Sequence, residues 1–425
     1  MLGSVHPVAA LTGLLTLLGV SGSFLLAAPP PDPSEPNRSH LIAAVHQASL
    51  DRDQALPSLS PKSSAQVSFP TLNSEQLDRQ LQRYLRYYAE FGAPDILIIG
   101  SSRAFQGVDP IALERTLSAR GYQGLKIYNF GINGATAQVE DWLIRQLLRP
   151  EQLPRLIIWA DNSRAFNEGR VDQTFANIQA SAGQKHLAAG QFPPLPQVSP
   201  LAFGKFCLDM LPKTIAIDQV VQVGTIDPDG FMYPQPRPML CQTALKTASR
   251  NLNQLGVAAS VHATAQPTAS GNSPVEMLGF RVVTKKFDPK TYFQEYPWVP
   301  SEYDADYLRF NLEGKQATAL RHLVSFVRSR NIALAIVGLP LTPTHLNGLR
   351  GEYEQQFRAY MQQQAQAQGF AFYDFTTHKA LTGNEFFEDP SHINRYGAEA
   401  VAIELGRVLV MPGEAPPSVQ ASVAQ

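Results

Sequence analysis

Four short stretches of this sequence carry groups suited to acyl chemistry, and they follow one another along the chain. The first is Gly100-Ser101-Ser102-Arg103, directly after the apolar run DILIIG that Gly100 ends. A small residue there lets the chain turn sharply and lifts a serine hydroxyl to the end of a strand, where it attacks a carbonyl if a base is near. Capping a helix is the ordinary alternative. The second is NFGINGAT, whose Gly131 and Gly134 offer backbone N–H groups to an oxyanion or serve turn geometry alone. The third, Asp161-Asn162-Ser163-Arg164, places an amide that is either an oxyanion donor or part of an Asx-turn. The fourth is Asp389-Pro390-Ser391-His392. Its spacing lets a carboxylate hold an imidazole in the tautomer that takes a proton from serine. Each pattern is common alone, but the ordered set of four is not.

Those groups need a frame that gathers them. Leu77, Leu81, Leu85 and Tyr88 recur at helical spacing over Ser74 to Phe91, and Asp109-Pro110 is a cap-and-proline helix start. Further helices are expected over Gln138 to Leu148, Leu312 to Ser329, Tyr353 to Gln368 and Arg395 to Val410. Between them lie apolar strands: DILIIG, LKIYNF (Leu125 to Phe130), LIIWA (Leu156 to Ala160), IALAIVGLP (Ile332 to Pro340) and AFYDF (Ala371 to Phe375). Short strands apolar on both faces, alternating with helices, predict an α/β fold with a parallel sheet covered on both sides. The loops beyond the strands' carboxyl ends then meet at one edge, which is where three of the four stretches fall. SRAF occurs at Ser102 to Phe105 and again at Ser163 to Phe166. Arg103 and Arg164 either bind an anionic substrate group bidentately or pair with a local carboxylate such as Asp161.

Composition narrows the partners. A formal net charge of -1 across 425 residues, without like-charge blocks, argues against a nucleic-acid footprint. Cys207 and Cys241 are the two cysteines, too few for a thiolate zinc site; they stand either as one disulfide or as two free thiols. Val8 to Ala28 contains no charged residue and has the length of a membrane-crossing helix or a secretory signal. It is expected to hold the rest of the chain outside the cytoplasm, anchored if retained and secreted if cleaved. The expected organisation is residues 1–28 as that segment, 29–71 as a Pro/Ser-rich linker, and 72–168 and 307–411 as two parts of one domain. Residues 169–306 are an insertion or cap and 412–425 a tail. Within the insertion, YFQEYPWVPSEYDADY suits either a sugar-binding groove or an aromatic lid packed on the core.

Taken together, Ser102, Gly134, Asn162 and the pair Asp389 and His392 resemble the four blocks of the SGNH (GDSL-like) hydrolase superfamily. The resemblance spans roughly Asp95 to Val408, with the insertion unmatched. The GSSR form is similar to a group of cyanobacterial envelope proteins and, more distantly, to O-acyl transfer proteins of bacterial cell surfaces. The resemblance implies a three-layer α/β/α flavodoxin-like sheet and ester chemistry by a Ser-His-Asp triad without a metal or organic cofactor. Ser102 would attack, His392 act as base and Asp389 orient it. The N–H groups of Ser102 and Gly134, with the Asn162 amide, would hold the oxyanion. Two departures stand out. Ser101 occupies the place of the family's aspartate, leaving Ser101 and Ser102 both open as nucleophile, and ADNSRAFN replaces the usual third block, leaving Asn162 and Asn167 both open as donor. The reading is an extracytoplasmic esterase or O-acyltransferase acting on an acyl ester of a glycan or envelope polymer. Its rival is a non-catalytic envelope protein that keeps the sheet as a scaffold and binds a glycan or a partner protein.

Overall fold

The computed structural model describes residues 69–196, 277–296 and 304–413, together with the backbone of two short strands in the insertion. Contacts divide the chain into Met1–Gln66 and Val67–Gln425, and every described residue belongs to the second unit. The expectations for Val8 to Ala28, for nearly all of the linker, for Cys207 and Cys241 and for most of the C-terminal tail lie outside the described residues. Among the described residues no helix is long and apolar enough to cross a membrane.

The chain runs through α1 (Glu75–Phe91), β1 (Ile96–Ile99), α2 (Ser102–Gly107), α3 (Pro110–Ala119), β2 (Ile127–Asn129), α4 (Ala137–Trp142) and β3 (Leu156–Asp161). After β3 come α5 (Gln173–Ala180), α6 (Ala182–Ala188), the paired strands β4 (Thr225–Ile226) and β5 (Met232–Tyr233), and α7 (Pro289–Glu295). The fold closes with α8 (Lys315–Ser329), β6 (Ala333–Gly338), α9 (Leu349–Gln368), β7 (Ala371–Asp374) and α10 (Arg395–Val408). The main sheet has five strands in the order β2-β1-β3-β6-β7. All its pairs are parallel, with Ile96 opposite Ile127 and Leu156, Leu156 opposite Ala333, and Ala335 opposite Ala371. This is the flavodoxin-like order with the insertion between the third and fourth strands of the sheet, as expected.

Strand side chains alternate between two cores, because successive residues point to opposite faces. Leu97, Ile99, Ile157, Trp159 and Ile336 pack with α1, α4, α8 and α9. Ile96, Ile98, Ile158, Ala160 and Val337 pack instead with α3 and α10, and with Ala104 of α2. Local signals act as read: Asp109 Oδ1 accepts from Ile111 N–H and Ala112 N–H at 2.8 and 3.2 Å, with Pro110 at the first helical position.

Three elements differ from expectation. The helix expected over Gln138 to Leu148 gives way after Trp142 to a π-turn over Leu143–Leu147, which keeps Leu143, Ile144 and Leu147 all buried. The helix expected from Tyr353 begins a turn earlier, at Leu349. The stretch after Gly169 shows no strong period, yet it forms α5 and α6 and adds Ile178 and Leu187 to the core. Side-chain caps supply what periodicity does not, since Asp172 accepts from Phe175 N–H and Ser181 from Gln184 N–H. From the aromatic stretch of the insertion, Tyr292 and Tyr307 turn inward and are buried.

Candidate functional site

The site is built on the turn after β1. Gly100 has φ +137°, and a Cβ there would stand 2.3 Å from the Ala160 carbonyl oxygen, so only glycine lets the chain pass this close to β3. Ser101 then caps α2, and its hydroxyl accepts from Arg103 N–H at 3.3 Å. It is also tied to β3: its N–H donates to Asp161 Oδ2 at 2.8 Å and its hydroxyl to Asp161 Oδ1 at 3.1 Å. Ser102 opens the helix and turns the other way, with Oγ 3.1 Å from His392 Nε2.

His392 and Asp389 sit in a tight loop ahead of α10, closed by an isolated bridge between Phe387 and Ile393. His392 Nδ1 lies 2.8 Å from Asp389 Oδ2, so the ring proton belongs on Nδ1 and Nε2 is left as the acceptor facing Ser102. Asp389 Oδ1 accepts from Ser391 N–H at 2.7 Å and from His392 N–H at 2.9 Å. Burial opposes ionisation of Asp389, but the adjacent His392 and these N–H donors win and hold the carboxyl well below the usual range. From the β6 side, Thr342 Oγ1 donates to Pro390 O at 2.6 Å.

The remaining sequence candidates divide. The loop after β2 meets the nucleophile turn through Ile132 N–H to Gly100 O at 2.8 Å. Gly134, two residues on, has φ +73° with Thr174 and Arg170 beside it. Asn162 is fully buried at the end of β3, and its amide donates to Leu339 O at 2.9 Å. Asn167 makes backbone bonds instead: it accepts from Gly169 N–H and Asn311 N–H at 3.0 and 2.8 Å and donates to Asp306 O and Leu308 O at 2.8 and 3.3 Å. Both arginines point inward. Arg103 lies 3.8 Å from Glu354 and 3.3 Å from His345 Nε2, and Arg164 pairs with Asp306 at 3.2 Å.

Around them lies a buried polar cluster whose other members the sequence does not mark. Glu354 Oε1 accepts from the Tyr307 hydroxyl at 2.7 Å and Oε2 from Ser163 N–H at 3.2 Å. Burial, then the neighbouring Arg103 and Arg164, keep His345 neutral, well below its ordinary pKa. Glu354 and His345 come from α9 and the loop before it, and Tyr307 is the first residue after the insertion; no fixed spacing links them to Ser102. The sequence offers Asp161 as a local partner for the arginines, whereas in the structure its carboxylate accepts from both the N–H and the hydroxyl of Ser101.

A second buried acid faces Asp161. Burial pushes Glu140 of α4 well above the carboxylate range, and the Asp161 carboxylate adds to the shift. The folded protein therefore holds a proton that the unfolded chain releases above about pH 4.3. That contribution is intact below the unfolded pKa and is lost as pH rises towards the higher folded one, by at most about 1.4 kcal/mol per pH unit. Glu140→Gln is thus expected to gain stability on the native chain between pH 5 and pH 8. Urea midpoints at the two pH values check this; an unchanged difference would place the carboxylate form in the folded protein.

No protein-family model and no curated protein matches the sequence. Among solved structures, the chain is similar to a protein of the G-D-S-L family, inferred to be lipolytic, from Desulfitobacterium hafniense DCB-2. The identity is 10% and the TM-score 0.30, over 74% of this chain and 98% of that one.

Proposed function

We propose that this chain is a serine esterase or O-acyltransferase of the SGNH type, working outside the cytoplasm on an acyl ester of a glycan or envelope polymer. The observation that carries the reading is the line from Ser102 Oγ to His392 Nε2 at 3.1 Å and from His392 Nδ1 to Asp389 Oδ2 at 2.8 Å. His392 takes the Ser102 proton as Oγ attacks the acyl carbonyl, and Asp389 stabilises the imidazolium. The N–H of Ser102 has no acceptor within α2, since it opens the helix, and with Gly134 N–H and the second amide hydrogen of Asn162 it would hold the oxyanion. The leaving alcohol departs with the proton from His392. Water then frees the acid, or a sugar hydroxyl takes the acyl group. Placement outside the cytoplasm rests on Val8 to Ala28, and an envelope substrate follows from that placement.

The test is labelling of the purified chain with a fluorophosphonate, with peptide mapping of the wild type and of Ser101→Ala, Ser102→Ala and His392→Ala. An adduct on Ser102 that disappears with His392→Ala is expected. The engagement of Asn162 with Leu339 O favours the second reading, a scaffold without chemistry. A folded chain that neither labels nor transfers an acyl group from esters would establish it.

A further inference from the structure

We infer that Gln106 is a positioning residue that sets the distance between Ser102 and His392; this rests on the esterase reading of that pair. Gln106 lies on α2 one turn beyond Ser102 and is 1% exposed. Its amide nitrogen donates to the Glu388 carboxylate and, at 3.3 Å, to Ile393 O. These acceptors immediately precede Asp389 and immediately follow His392. One amide thus grips both stems of the loop that carries the acid and the base, from the helix that carries the nucleophile.

The rest of the geometry makes this grip consequential. The loop is closed on itself by the bridge between Phe387 and Ile393 and by Glu388 N–H to His392 O at 2.9 Å, and is held from other sides by Thr342 Oγ1 to Pro390 O at 2.6 Å and Phe287 N–H to Phe387 O at 2.7 Å. The far end of α2 is fixed independently, because Asn129 donates to Ala104 O and Val108 O at 2.8 and 3.1 Å. The bonds from Thr342 and Phe287 tie the loop to the β6 side and to the insertion, whereas the Gln106 amide ties it to the helix that carries Ser102 and so bears directly on the spacing of the pair. A short hydroxyl-to-imidazole contact is sensitive to displacements of an ångström. Gln106 touches none of Ser102, His392 and Asp389 through these bonds, so it acts through the loop.

The experiment compares Gln106→Met, Gln106→Glu and Gln106→Glu combined with Glu388→Gln in the full chain, each confirmed folded by its melting curve. Two signals are read: the rate of Ser102 phosphonylation and the low-field proton resonance of His392 Nδ1–H, assigned with His392→Ala. Gln106→Met should slow labelling by about 10- to 100-fold, leave half-saturating probe concentration within about twofold, and broaden the imidazole signal. Gln106→Glu should lose more at neutral pH, because two carboxylates then face each other. Adding Glu388→Gln should restore most of the rate, by reversing donor and acceptor. Wild-type rate and signal in Gln106→Met, or no rescue in the pair, would overturn the role. If the native chain neither labels nor transfers an acyl group from esters, the esterase or acyltransferase reading fails, while the imidazole signal still reports whether Gln106 holds the loop.

Discussion

Replacing His392 by Ala should lower kcat on an activated acetyl ester by on the order of 10⁴-fold, with KM little changed. The cause is local. Among the described residues Ser102 has one base within reach, at 3.1 Å, and without it the hydroxyl stays protonated at neutral pH. Ser102→Ala should cost as much, and the Ser102→Ala, His392→Ala pair no more than either alone, because both remove one concerted step. Asp389→Asn gives a sharper reading. Its amide cannot accept the Nδ1 proton through the nitrogen, and turning the oxygen inward surrenders the backbone N–H groups of Ser391 and His392. The ring is then free to take the tautomer whose Nε2 cannot receive the serine proton, and a loss of similar order follows. Steady-state kinetics of the three singles and the double checks this. Losses that multiply in the double would show two independent roles and break the triad apart.

The frame of this site is open to the sequence because its signals are local and repeated. Runs such as ILIIG and LIIWA are apolar at every position, as a strand buried on both faces requires, and β1 and β3 are buried throughout. The parallel order then follows from helices between strands, and the loops at the carboxyl edge gather Ser102 and His392 across nearly the whole domain. The elements that escaped are those whose stability comes from caps and context. α5 and α6 are short and carry only one or two inward residues each, and the six-residue α2 forms because Ser101 caps it and Asp161 anchors that cap.

At the site, the groups with a motif spacing of their own were legible and the groups that support them were not. Asp389 and His392 stand three apart, and that interval is itself the geometry of their bond. Which serine faces His392 cannot be read from GSSR, since both are polar and adjacent. Asp161, a carboxylate on a different strand, distinguishes them by taking both polar groups of Ser101. The arginines of the repeated SRAF show the converse. Their recurrence suggested an anion site, but their partners Glu354 and Asp306 lie far along the chain, where no local pattern announces them.

That buried cluster carries the largest expected effect on stability. Arg103 and Glu354 are each 1% exposed at the side chain, so removing one leaves the other charged and without solvent. Glu354→Ala should destabilise the domain by about 3–5 kcal/mol. Part of that comes from the Tyr307 hydroxyl and Ser163 N–H losing their acceptor. Glu354→Gln keeps the shape and one acceptor and should cost less, while leaving Arg103 without its counter-charge. Arg103→Met should be costly for the mirror reason, since Glu354 is then the unbalanced charge. The Arg103→Met, Glu354→Met pair removes both charges together and should be more stable than Glu354→Ala and Arg103→Met alike, because desolvation of an ion pair offsets most of its attraction. Urea unfolding of the set decides the matter. A double variant as unstable as the sum of its singles would mean that the two charges act separately, with Arg103 balanced by Asp161 rather than by Glu354.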